Sequence, residues 1–196
     1  MKQDTRYKFE HWVWRVFKIN LHRLRHDRRV LERVIIPKMK SLLHKKYSTV
    51  LSVGTEWHCL HYRNLFAESR YEFWTIDSDE SKRPASYKQH LTAPMREIDT
   101  RFPYKYFDLV LFIGWGIDTE ADVYVSFAAL FRTMATEGLL VVGINEDGES
   151  LQFSPLNRIV EAGFVQVSIG CLGYYVNTNT PYRHTYYFFK KPASRL

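Results

Sequence analysis

Four apolar runs limit how this chain can fold more than anything else in it: TVLSVG (residues 49–54), EFWTID (72–77), FDLVLFIG (107–114) and GLLVVGIN (138–145). Each is nearly continuous rather than alternating. A strand with one wet face alternates apolar and polar residues, whereas a strand covered on both faces does not, and double coverage is typical of parallel sheets. Helix-like stretches lie between the runs, at 56–69 and at 121–135, where Val125, Ala128, Ala129 and Met134 are expected to face inward. SPLNRIVEAGF (154–164) begins with Ser then Pro, a helix start, and reaches Gly163, a helix stop. Strand–helix alternation requires right-handed crossovers and yields a three-layer α/β sandwich. FVQVSIG (164–170) and HTYYFFKK (184–191) end the chain as two strands with no helix between them, expected as an antiparallel hairpin that closes the sheet. The sixth strand is expected to stop near Ile169, which makes GCLGYYVNTNTPYRH (170–184) a fifteen-residue hairpin loop. Loops of that length are often lids or binding loops.

The 196 residues and their 45% hydrophobic content suit one domain with a sizeable core. Charge divides the chain in two. Residues 6–46 carry thirteen Lys or Arg against Glu10, Asp27 and Glu32, a balance of +10, so the remainder of this +7 chain is near −3. Residues 1–46 therefore read as a basic helical extension or lid, and 47–196 as the main domain. Phe9, Trp12, Val13, Val16 and Phe17 share one helical face, and Val30, Leu31, Val34 and Ile35 form the stripe of a second helix that Asp27 can cap. Pro37 is a point of kink or break. The basic face fits an anionic partner (a membrane surface, nucleic acid or an acidic neighbour) or plain solvation. The apolar stripe either packs over the sheet as a lid or enters a membrane interface, with Trp12 and Trp14 at headgroup depth. No apolar run is long enough to span a bilayer, and no signal-peptide pattern opens the chain. With Cys59 and Cys171 read as reduced, the expectation is a cytoplasmic protein, peripheral at a membrane if the helices bind lipid.

From residue 47 to 191 the order of elements resembles the class I S-adenosylmethionine-dependent methyltransferases. VLSVG resembles the first strand and loop of that family, WTIDSD its second strand with the terminal acid, YFDLVLFIGWG its fourth, and LFRTMATEGLLVVGINE its helix, turn and fifth strand. The resemblance implies a mostly parallel seven-stranded sheet whose last strand is antiparallel, preceded by N-terminal helices. It also implies S-adenosylmethionine as cofactor. Carried over position by position, Gly54, Thr55 and Glu56 fall in the first loop, Asp77 and Ser78 at the ribose, Thr92 near the adenine, and Gly114 beside the methyl-transfer position. The sequence departs from the pattern in the first loop: Ser52 replaces the usual acid, and Glu56 and His58 stand where further glycines are usual. Glu56 could contact the cofactor amino group or cap the helix that follows.

Methyl transfer asks little of a protein beyond alignment, because sulfonium is already a good leaving group. A base is needed only where the acceptor must lose a proton. Arg183, as an anion partner, and His184, as the base, are the catalytic candidates. Tyr174, Tyr175, Tyr182 and Trp115 are candidate walls for the acceptor. A sheet role for His184 and solvation for Arg183 stand beside that reading. His58 and His61 are spaced i, i+3, but no acids cluster with them, so no metal is expected. Three functions fit these residues: methyl transfer to a small molecule or glycan precursor; a binding or scaffold protein that keeps the fold without turnover; and a nucleic-acid methyltransferase whose basic helices grip phosphates. No NPPY-type motif follows the fourth strand, where IGWGID stands, and that weighs against the last.

Overall fold

The computed structural model describes residue 33 and residues 36–42, 49–54, 71–82, 89–113, 120–145, 155–177 and 180–193. The expected N-terminal helices, the 56–69 helix and Trp115 lie outside these, apart from a helix α1 at Ile36–Leu42 with Pro37 as its second residue. A proline in a first turn removes no intrahelical bond. The strands are β1 (Thr49–Val53), β2 (Glu72–Asp77), β3 (His90–Thr92), β4 (Phe107–Ile113), β5 (Met134–Asn145), β6 (Val165–Asn177) and β7 (Thr180–Lys190). The remaining helices are α2 (Ile98–Arg101), α3 (Glu120–Thr133) and α4 (Pro155–Glu161). One seven-stranded sheet has the order β3-β2-β1-β4-β5-β7-β6. The pairs of β1 with β2 and β4, β2 with β3, and β4 with β5 are parallel. Only β7 runs against its neighbours, β5 and β6.

Registration explains the apolar runs. Trp74, Leu51, Val110, Leu140 and Phe189 stand opposite one another across five strands and line one face of the sheet. On the other face Val50, Leu109, Leu111, Leu139, Val141 and Phe188 are buried as well. Both faces are therefore dry, as continuous apolar strands require. Helix α3 seals the first face with Val123, Phe127 and Leu130, all buried, and Phe127 meets Phe112 edge-on at 5.4 Å between ring centres. Helix α4 adds Ile159, and the chain stops it at Gly163, whose φ of 110° suits a residue without Cβ.

Two expectations are corrected here. Val125 does not face inward, being 45% exposed, whereas Ala129 is buried and Ala128 packs against the core as expected, and Met134 is buried as the first residue of β5 rather than on the helix. The segment VYVSFAALF is apolar at most positions, so its period is ambiguous, and the large rings of Phe127 and Leu130's side chain take the core. The 170–184 segment is not a long loop either. Strand β6 continues to Asn177 and β7 resumes at Thr180, with Tyr174 opposite Tyr182. Tyr, Val and Thr favour extended chain, so the segment that separates two expected strands is itself strand. Pairing of β5 with β7 ends at Asn145 and His184, so the ribbon continues roughly four residues, about 13 Å, past β5.

The revised helix face can be tested by denaturant unfolding. Phe127→Ala should cost about 3–5 kcal/mol, the range for a truncated buried ring, while Val125→Ala should stay within about 0.5 kcal/mol. The reverse ranking would restore the face read from the sequence.

Candidate functional site

In a doubly wound sheet, ligands bind beyond the carboxyl ends of the strands, where the strand order reverses. Here the reversal falls between β1 and β4, since the chain builds outward from β1 to β3 on one side and from β4 on the other. Gly54, Asp77 and Thr92 end or follow the three adjacent strands β1, β2 and β3 at this edge.

Gly54 has a φ of 81°, and its N–H donates to the Ile76 carbonyl at 2.8 Å, so the chain turns left-handed while still tied to β2. Among the described residues, a Cβ added there would meet no atom within 4 Å. The conformation, not crowding by the protein, asks for glycine, and the backbone lies open to close approach.

Asp77 is half-buried and stands opposite Thr92. Its Oδ1 accepts the N–H of Asp79 at 3.0 Å, and its carbonyl accepts the N–H of Ala93 at 2.9 Å. Asp79 in turn accepts from the N–H and hydroxyl of Ser81, at 3.0 and 2.7 Å, which winds Glu80–Lys82 into a 3-10 turn. Ser78 is exposed at the bend. The carboxylate of Asp77 is thus oriented by the backbone it precedes. A carboxylate has about four lone-pair sites, more than the Asp79 N–H alone occupies.

Thr92 donates its hydroxyl to Glu80. Glu80 was not among the residues singled out from the sequence. The acid-rich DSDE could have signalled it, but only the turn that Asp79 caps carries Glu80 back over β3. Thr55, Glu56 and Gly114 lie outside the described residues, as do His58, Cys59 and His61. Among the described residues no three His, Cys, Asp or Glu are grouped for a metal ion.

Arg183 and His184 lie on β7, not in a loop. His184 stands opposite Asn145, the last residue of β5, and Arg183 is one residue further along the ribbon. Strand β7 is three positions from β1 in the sheet, about 14 Å at the usual strand spacing. The structure therefore brings Gly54, Asp77, Ser78 and Thr92 together, and puts Arg183 and His184 at the same edge but across β4 and β5.

Neither a family model nor a curated protein sequence matches the chain. Solved structures do. The N-methyltransferase NodS from Bradyrhizobium japonicum WM9 is 12% identical, with a TM-score of 0.63 over 88% of this chain and 98% of that one. A SAM-dependent methyltransferase from Methanosarcina mazei is 10% identical, with a TM-score of 0.60 over 81% of this chain and 98% of that one. The cyclase SpnF is 13% identical, with a TM-score of 0.60 over 87% and 81%. These likenesses, with the strand order and the antiparallel β7, show that the chain has the class I methyltransferase fold.

At Gly54 the account separates strain from packing. Gly54→Ala should cost about 1–2 kcal/mol, the penalty for an L-residue in the left-handed region. A clearly larger loss in denaturant unfolding would mean that the position is packed against.

Proposed function

We propose that this protein binds S-adenosylmethionine at the carboxyl ends of β1 and β2 and transfers its methyl group to a small molecule or glycan precursor. The observation that carries the reading is the oriented Asp77 carboxylate at the end of β2, beside a left-handed Gly54 whose missing side chain leaves the backbone approachable. The methyltransferases among the structural neighbours support the choice of cofactor.

The residues present fit that cofactor. Asp77 would accept both ribose hydroxyls, using the oxygens its turn holds in place. Gly54 would let the main chain lie against the methionine part, and Thr92 with Glu80 would border the adenine side. The cofactor supplies an electrophilic methyl on a sulfonium. What remains for the chain is to hold the acceptor in line and, where the acceptor bears a proton, to take it. In this reading that task falls to the ribbon of β6 and β7, which continues beyond the end of β5. His184 is the proposed base and Arg183 the proposed partner for an acceptor carboxylate or phosphate. A second reading is a binding or scaffold protein that keeps the fold without turnover; one structural neighbour is named a cyclase, so likeness in fold does not by itself carry methyl transfer.

Asp77→Ala should weaken S-adenosylhomocysteine binding by roughly thirtyfold, the equivalent of about 2 kcal/mol for charged hydrogen bonds lost. Calorimetric titration reads this directly. Wild-type protein that binds neither form of the cofactor at millimolar concentration would leave the second reading in its place. For the ribbon, Arg183→Ala and His184→Ala should reduce turnover with cofactor affinity nearly unchanged. Loss of affinity in step with activity would assign both residues to structure.

A further inference from the structure

The opposite end of the sheet holds a cluster that methyl transfer does not use. The turn Tyr104–Lys105 precedes β4 and is latched to the end of α3: Lys105 N–H donates to the Arg132 carbonyl at 3.3 Å, and Tyr106 N–H to the Thr133 carbonyl at 2.6 Å. Lys105 has a φ of 62°, a conformation that glycine adopts without strain and a lysine does not. Lys191, just past β7, is only 4% exposed. Its ammonium donates to the carbonyls of Phe131 and Met134 at 2.6 and 2.8 Å. It also lies 4.6 Å from the centre of the Tyr104 ring and 4.8 Å from that of Phe131. Lys105 approaches the same Tyr104 ring at 5.3 Å.

Two ammonium groups therefore share one aromatic ring, and among the described residues neither has a carboxylate partner. Burial first, and the Lys105 charge second, push the Lys191 ammonium down to about 8. A cleft of about 510 Å³ opens between these groups, of the size that holds small molecules. No acid lines it. Arg132 adds a third cation on the rim, held by Asp99 at 2.6 Å, while Tyr124, Phe131 and Ala162 supply apolar wall. The carbonyls at the end of α3 would repel an anion, but Lys191 already covers that of Phe131 and that of Met134 just beyond the helix.

We infer that this cleft is a second ligand site, for a small anion on a flat apolar body, such as an aryl phosphate or aryl carboxylate. The anion would sit between Lys105 and Lys191 and relieve their mutual repulsion, with its ring against Tyr104 and Tyr124. A strained backbone at Lys105 then has a purpose, because it aims a cation that a relaxed glycine turn would lack.

Phenyl phosphate is a suitable probe, read by thermal melting and by calorimetry on the full chain. It should bind saturably at millimolar concentration. Lys105→Gly should leave the ligand-free melting temperature equal or higher, because glycine suits that φ, yet weaken phenyl phosphate binding at least tenfold. Lys105→Arg should retain binding, and so should Asp77→Ala, which touches only the other end of the sheet. The inference is overturned if wild-type protein shows no saturable binding, or if Lys105→Gly binds as well as wild type. It is equally overturned if Asp77→Ala abolishes binding, or if Lys105→Gly lowers the ligand-free melting temperature and so marks Lys105 as structural.

Discussion

A sheet that is dry on both faces has nowhere to put polar chemistry except the ends of its strands. Every other feature of the molecule follows from this constraint. The side chains of β1, β4 and β5 point into largely apolar layers on either side, where the buried hydroxyls of Ser52 and of Thr75 in β2 are accommodated but an ionised carboxylate would be costly. Parallel pairing then gathers the carboxyl ends of β1 to β5 along one edge, and reversal of strand order between β1 and β4 opens that edge. Gly54, Asp77 and Thr92 are there because it is where the fold admits them.

The amino ends behave differently. Glu72 opens β2 and accepts hydrogen bonds from Trp74, Gln89 and the hydroxyl of Tyr106. Asp108 accepts both the N–H and the hydroxyl of Thr49, tying β4 to β1. Burial, then the neighbouring Glu72 carboxylate, raises the Tyr106 phenol, which keeps it a donor. Polar side chains at this edge bind one another and hold the strands in register. Further along the same edge the pattern changes at Lys105 and Lys191, where two cations meet around the Tyr104 ring and, among the described residues, neither pairs with an acid. That contrast separates a structural cluster from one with room for a ligand.

Much of the architecture was legible in the sequence. The four apolar runs mark β1, β2, β4 and β5 closely, because continuous burial leaves a pattern that few other structures produce. Pro155 and Gly163 bracket α4 for equally local reasons. The face of α3 was legible only in part: Ala128 and Ala129 read correctly as inward, but nearly every residue from Val123 to Phe131 is apolar, and packing against Phe112 selects Phe127 over Val125. The hairpin was misread because Gly170, Gly173 and NTNT look like loop signals, whereas the Tyr-rich sequence around them pairs across strands. The place of Asp77 at the end of β2 was legible from the apolar run that it closes. Glu80 was not, since its approach to Thr92 depends on a turn wound by Asp79 and Ser81, which no spacing rule reveals.

The central claim is that the edge between β1 and β2 receives the nucleoside of the cofactor. A crystal structure of the protein with S-adenosylhomocysteine tests this most directly. The account predicts the adenosine across the ends of β1 and β2, with both ribose hydroxyls within hydrogen-bonding distance of the Asp77 carboxylate and the main chain at Gly54 against the amino-acid part. Ligand density elsewhere on the molecule, or an Asp77 carboxylate still turned wholly into its own backbone with the ribose out of reach, would contradict it.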